Sequence, residues 1–246
     1  MHIFIRWALV PLIRVWSLIV ERRLADVPRP ADESRVPSSE MDCDRVLIFG
    51  RGPALGLGVL SHKLALSGSL ARALFLRTGH AIDVTVVADS TIAVGSAIPR
   101  LASLPLASSD AIVLTFGAKD ATTLADPGRW DRQMRALLRF LDDDCPDSVH
   151  IFLLGIQPVR SISVFNSPLG AIADLHAREL NAATEKICAE FSRALFVPLT
   201  AVPHPSPDRF RSAADYRHWG EILAAQMSSH LEGKRQYADP AEHTVP

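Results

Sequence analysis

Residues 45–58 read RVLIFGRGPALGLG, and this stretch decides the fold. Val46–Phe49 is a continuous apolar run, as in a strand buried on both faces of a parallel sheet. Gly50 stops it, and the glycines at 52, 56 and 58 allow tight turns before the next helix. Further runs of the same kind lie at 81–88 (AIDVTVVA), 110–116 (DAIVLTF), 149–156 (VHIFLLGI) and 195–199 (LFVPL). Helical patterns separate them, at 59–78, 129–143, 169–192 and 213–231. In the second, Trp130, Met134, Leu137, Leu138 and Leu141 share one face. Pro127-Gly128 breaks the chain just before it, and Asp126 is the expected cap. The alternation predicts an α/β fold of three layers, α/β/α, around a five-stranded parallel sheet. Ligands in such folds sit beyond the carboxyl ends of the strands. Gly50–Gly52, Ala88–Thr91, Gly117–Asp120 and Gly155–Pro158 therefore share one rim.

The chain has 246 residues, 48% of them hydrophobic and 22% charged, enough for one sizeable domain with appendages. A net charge of −1 gives no electrostatic basis for binding nucleic acid. Cys43, Cys145 and Cys188 are scattered and odd in number, so reduced thiols in the cytoplasm are expected; a secreted chain with one stray cysteine is the less favoured alternative. No HExxH or Cys/His spacing occurs, and neither a metal nor a cofactor is expected.

Residues 1–24, MHIFIRWALVPLIRVWSLIVERRL, form an apolar and basic segment interrupted by Arg6, Pro11 and Arg14. Its uncharged runs are far shorter than the roughly 18–20 residues that cross a bilayer. Three readings stay open: an amphipathic helix at a membrane surface, peripheral to the inner face; a helix docked on the domain or used in self-association; and an atypical signal anchor. Residues 25–44 have the composition of a Pro-rich linker and 232–246 that of a frayed tail, which leaves 45–231 as the folded domain.

Three blocks, GRGPALGLG after the first strand, DAIVLTFGAKD at 110–120 and DRFRSAADYRHWGEILA at 208–224, resemble in order and spacing the motifs of the SGNH, or GDSL, serine esterases and lipases. The resemblance covers about residues 45–231 and implies a flavodoxin-like hydrolase fold. It also implies roles by position. Gly52 stands where the family has its nucleophile serine, Thr91 where it has the oxyanion glycine, Lys119 for the oxyanion asparagine and Arg211 for the general-base histidine. Asp208, Tyr216 and Trp219 are retained. Glycine has no oxygen to attack an ester, and arginine stays protonated and cannot act as a general base. Four replacements at matching spacings point to lost chemistry: a pseudoenzyme with a binding or partner role.

Two alternatives accompany that expectation. Ser90 on the second rim loop and His204 in HPSPD are candidates for a relocated nucleophile and base in an active acyl hydrolase. Alternatively, the chain is an unrelated flavodoxin-like binding domain, for which GRGPALGLG is a weak phosphate loop with no GK[ST]. The replacements also share a sign. Arg51, Lys119 and Arg211, with Asp120 beside them, form a candidate binding set for a small anionic or acyl ligand. The competing expectation pairs these cations internally with Asp89, Asp120 and Asp208.

Overall fold

The computed structural model describes residues 3–32, 34–36, 43–201 and 210–238. The helices are α1 (Ile3–Leu24), α2 (Leu66–Thr78), α3 (Ala97–Leu101), α4 (Ala118–Thr122), α5 (Pro127–Asp144), α6 (Pro168–Cys188) and α7 (Ala213–Ala238). The strands are β1 (Arg35–Val36), β2 (Cys43–Gly50), β3 (Ala81–Ala88), β4 (Ala111–Thr115), β5 (His150–Leu154) and β6 (Ala194–Val197). They form one sheet in the order β1-β3-β2-β4-β5-β6. β2 to β6 are mutually parallel, as expected, and β1 adds a short antiparallel edge with Arg35 opposite Thr85.

Alternation along the strands divides the core. Leu47, Phe49, Ile112, Leu114, Ile151 and Leu153 point to the side covered by α5 and α6. Val46, Ile48, Val84, Val86, Val113 and Phe152 point to the side covered by α2 and α7. A fully buried side chain of this size contributes about 1.5–3 kcal/mol, so both helical layers are held mainly by burial. α5 begins as the sequence requires: Asp126 accepts the Arg129 N–H at 2.8 Å and Pro127 occupies the first turn.

The differences from expectation are local. α2 starts at Leu66 rather than near 59, because residues 59–65 form turns that the glycines at 56 and 58 initiate. The stretch read as a free linker is partly tied down. Pro28 C=O accepts the Gly58 N–H at 2.8 Å, the Asp32 carboxylate accepts the His62 N–H and the Ser61 hydroxyl, and Ser34 C=O accepts the Val86 N–H. A polar, proline-rich segment cannot build a core, but it can satisfy the open donors of a sheet edge.

At the opposite end of the sheet from the rim, the rings of His150 and His230 stack at 4.4 Å, with His230 also against Phe152. Burial lowers the pKa of both, and of His62. The unfolded chain therefore takes up protons at these sites before the folded one does, and stability falls as pH drops below about 6.5. The melting temperature should decline between pH 7 and pH 5, and His230→Leu should make that decline shallower. An equal slope in wild type and variant, read by calorimetry, would remove the pair from the account.

Candidate functional site

The first rim turn is set by a close strand contact. Gly50 has φ +131°, and a Cβ there would lie 2.3 Å from the Thr115 carbonyl oxygen. Only glycine permits that approach, which lets the Arg51 N–H donate to the same oxygen at 2.9 Å. Residues 52–55 then form a single tight turn. Gly52 faces the rim with φ +70°, and the nearest atom to a Cβ at this position would be Ala118 Cβ at 3.8 Å. Space for a side chain exists; a hydroxyl does not.

The last helix is bound to this turn. Tyr216 is fully buried and its hydroxyl donates to Leu57 C=O at 2.8 Å. Burial raises its pKa and keeps the phenol a neutral donor. Trp219 stands edge-on to Tyr216 and donates to Thr200 C=O. Gly58, at φ +98°, lies so close to Arg211 that a Cβ would meet its carbonyl oxygen at 2.3 Å. These contacts carry Arg211 to the rim beside Gly52.

The rim encloses a cavity of about 450 Å³, lined on the domain side by Arg51, Gly52, Ser90, Thr91, Lys119 and Arg211. The sequence-derived set is therefore gathered in one place, with Asp120 immediately behind Arg51. Asp208 and His204 lie outside the described residues. Thr91 does not offer a free oxyanion donor, since its N–H donates to Asp89 at 2.6 Å. The Thr91 hydroxyl and this N–H hold the Asp89 carboxyl below its usual pKa. Ser90 is exposed on the cavity wall, and no described histidine lines the cavity with it. His218 bonds Thr200, and His176 bonds Glu179 and Ala125 C=O.

The cations differ in their partners. Arg51 donates to Asp120 at 2.8 Å in a pair whose side chains are 9% and 21% exposed. Lys119 is paired at 2.8 Å with Glu21 of α1, which the sequence did not foresee. Asp89 faces Arg100 rather than a rim cation. Arg211 is 6% exposed and has no carboxylate partner among the described residues. Its guanidinium lies 5.2 Å from the Phe210 ring centre and 5.1 Å from that of Trp219. Its Nε and Nη1 lack hydrogen-bond partners, as do Arg51 Nε and Gln157 Oε1.

The other wall is α1. Ile13, Ser17 and Val20 are buried, Trp16 packs edge-on against Phe165, and Ser17, Val20, Glu21 and Leu24 line the cavity. No motif announced these residues, nor the 159–165 loop that supplies Val159, Ile162 and Phe165, whereas Gln157 lies in the Gly155–Pro158 segment expected at the rim. The apolar character of α1 was legible; the surface it covers was not. Among the described residues no His/Cys/Asp/Glu cluster suited to a metal occurs.

No family model matches the chain and no curated protein matches it. Solved structures do. A lipase, Lip_vut3, from a goat rumen metagenome superposes with a TM-score of 0.62 at 14% identity, over 76% of this chain and 99% of its own. A carbohydrate acetylesterase family member from Sinorhizobium meliloti gives 0.58 at 17% identity, over 77% and 99%. An aryl esterase from M. smegmatis gives 0.56 at 17% identity, over 76% and 99%. At these identities the likeness is one of fold.

The two ion pairs should weigh differently. Asp120→Ala strands a buried guanidinium and should cost about 3 kcal/mol of stability, whereas Glu21→Ala opens an exposed pair and should cost less than about 1 kcal/mol. Urea denaturation of both variants measures the contrast; equal costs would contradict it.

Proposed function

We propose that this chain, which has the SGNH/GDSL hydrolase fold, is a pseudoenzyme that binds a small anionic or acyl ligand without cleaving esters. Gly52 carries the reading. It lies just beyond the end of β2, on the cavity wall, at the position that the resemblance gives to the attacking oxygen, and it carries none. Arg211, the residue in the general-base position, is a permanent cation and cannot accept a proton from a nucleophile. The exposure of Ser90 on the same wall favours one competing reading, an acyl hydrolase with a relocated nucleophile.

A second part of the proposal concerns where the ligand is met. No described helix is long and apolar enough to cross a membrane. Yet α1, docked by one face, leaves Leu12, Val15, Leu18 and Ile19 exposed on the other. Exposed Arg22 and Arg23 follow at its carboxyl end. An apolar strip flanked by arginines complements the interface of an anionic lipid leaflet, and we assign this face to a membrane surface.

Hydrolysis of p-nitrophenyl acetate, butyrate and decanoate by the purified protein tests the first part. No turnover above a heat-denatured control is expected. Saturable turnover lost in Ser90→Ala would establish the relocated hydrolase instead, and turnover surviving in that variant would show a nucleophile elsewhere. For the second part, the protein should float with vesicles containing 30 mol% phosphatidylserine, on the order of tenfold more than with neutral vesicles. Replacing Leu12, Leu18 and Ile19 together by Gln should abolish flotation; protein that stays in the soluble fraction from the outset defeats the assignment.

A further inference from the structure

The rim cations are not equivalent, and the difference identifies a ligand chemistry. Asp120 occupies Arg51, Glu21 occupies Lys119 and Arg100 lies nearest Asp89. Arg211 alone of the cavity cations is both buried and without a carboxylate among the described residues. Its aromatic neighbours, Phe210 and Trp219, offset the charge through their ring faces, but a ring face does not accept the in-plane N–H groups of Nε and Nη1. A buried donor left in this state is costly, so its natural partner is an acceptor that arrives from outside.

The surroundings specify the rest of that molecule. Arg211 and Gln157 line both the large cavity and a void of about 10 Å³, near the size of one water, that reaches toward Thr115 and Gly155. The apolar part of the wall is Val20 and Leu24 of α1, Leu57, Val159, Ile162 and Phe165, and the paired Glu21 and Lys119 and the exposed Arg29 line the same cavity. The cavity volume, about 450 Å³, lies in the range of small-molecule sites. A buried guanidinium with two donors open and no carboxylate among the described residues, next to an apolar part of the wall, fits a single negative head on an apolar body, and a planar fork suits a carboxylate. A free phosphate would leave the apolar walls unused, and a neutral ester or alcohol would leave the charge unmatched.

We infer that the cavity under α1 is a binding site for an amphipathic carboxylate of the medium-chain fatty-acid type, with Arg211 holding the head and α1 closing over the tail. This rests on the non-hydrolytic reading only in taking the bound species as a ligand rather than a substrate. Arg211 is then a binding residue in the full sense, its nitrogens touching the carboxylate oxygens. Gln157 Oε1, an acceptor, takes a hydrogen bond from a water beside that head.

The test uses the full chain and sodium decanoate below its micellar concentration, followed by titration calorimetry. Decanol is the uncharged control, and inorganic phosphate the anion without a tail. Decanoate should bind saturably with one site, decanol at least tenfold more weakly, and phosphate should not compete. Arg211→Met should weaken decanoate at least tenfold while its melting temperature stays at or above that of wild type, because a buried unpaired cation has been replaced by an apolar chain of similar volume. Leu55→Trp, which leaves Arg211 in place and fills the chamber, should also lose the tail. Binding that survives both variants would put decanoate on the outer face of α1 and overturn the site. Phosphate competing as well as decanoate would overturn the ligand class, as would absence of decanoate binding. The two readings fail separately. Turnover of p-nitrophenyl decanoate together with Arg211-dependent decanoate binding would overturn the non-hydrolytic function and leave the carboxylate site standing; loss of the carboxylate site leaves the absence of turnover untouched.

Discussion

Everything at the rim depends on the closure between the first loop and the last helix. The Tyr216 hydroxyl reaches Leu57 C=O across 159 positions of sequence, and Gly58 yields its side-chain space to the Arg211 backbone. Without this tie, β2 would still end at a glycine turn, but the segment bearing Arg211 would have no fixed place opposite it. The tie is expensive in chain entropy, since it closes almost the whole domain into a loop, and it forms because a fully buried phenol and a buried carbonyl must find each other or go unsatisfied. Trp219 doubles it from the next turn of α7 by donating to Thr200 C=O. The two aromatic residues of the terminal block thus have a structural task independent of any chemistry at the rim.

α1 uses a different kind of force. Its docking relies on burying Ile13 and Val20 and on the ring contact between Trp16 and Phe165, with the Glu21–Lys119 pair adding little because both partners are nearly half exposed. The pair matters more as a choice of register: it sets Glu21 over the rim and aims Ser17, Val20 and Leu24 into the cavity. The same helix is apolar on its outward side. A helix with apolar residues on both sides is stable only between two apolar environments. The domain provides one, and a lipid interface is the second in the reading advanced above.

How much of this could be read in advance follows from which forces are local. Strand cores such as Val46–Phe49 and 81–88 announce themselves by continuous hydrophobicity, and Asp126 followed by Pro127 marks the start of α5 without reference to anything distant. Arg51 and Lys119 could be placed on one rim from strand polarity, because residues after carboxyl ends of parallel strands must share it; Arg211 joined them only through the resemblance, and its place depends on the Tyr216 tie. What escaped was determined by contacts between segments far apart in sequence. The 35–36 edge strand is two residues inside a stretch with no β pattern, and it forms because β3 presents open donors. The partner of Lys119 lies on α1, nearly a hundred positions away, and nothing in the composition of either segment encodes that meeting. Gln157 was legible as a rim position within Gly155–Pro158, but only burial without a bonding partner for its oxygen sets it apart from its neighbours.

On the reading proposed above, Arg211 stands where a general-base histidine would be, which could be taken as a simple loss. Electrostatics argues that it is also a gain with a definite sign. A neutral imidazole can be buried at modest cost, but a guanidinium carries its charge into the interior at any physiological pH and must be compensated there. The charge of Arg51 is met by a carboxylate, although its Nε is left open, and Lys119 keeps its ammonium half in water. Arg211 is 6% exposed, beside two aromatic rings, with Nε and Nη1 lacking partners among the described residues. A pocket that only needed to be filled would be better served by an apolar side chain of the same volume, which carries no desolvation cost. Holding a cation there is sensible when an anion visits, and the apolar walls around it restrict which anions gain by entering.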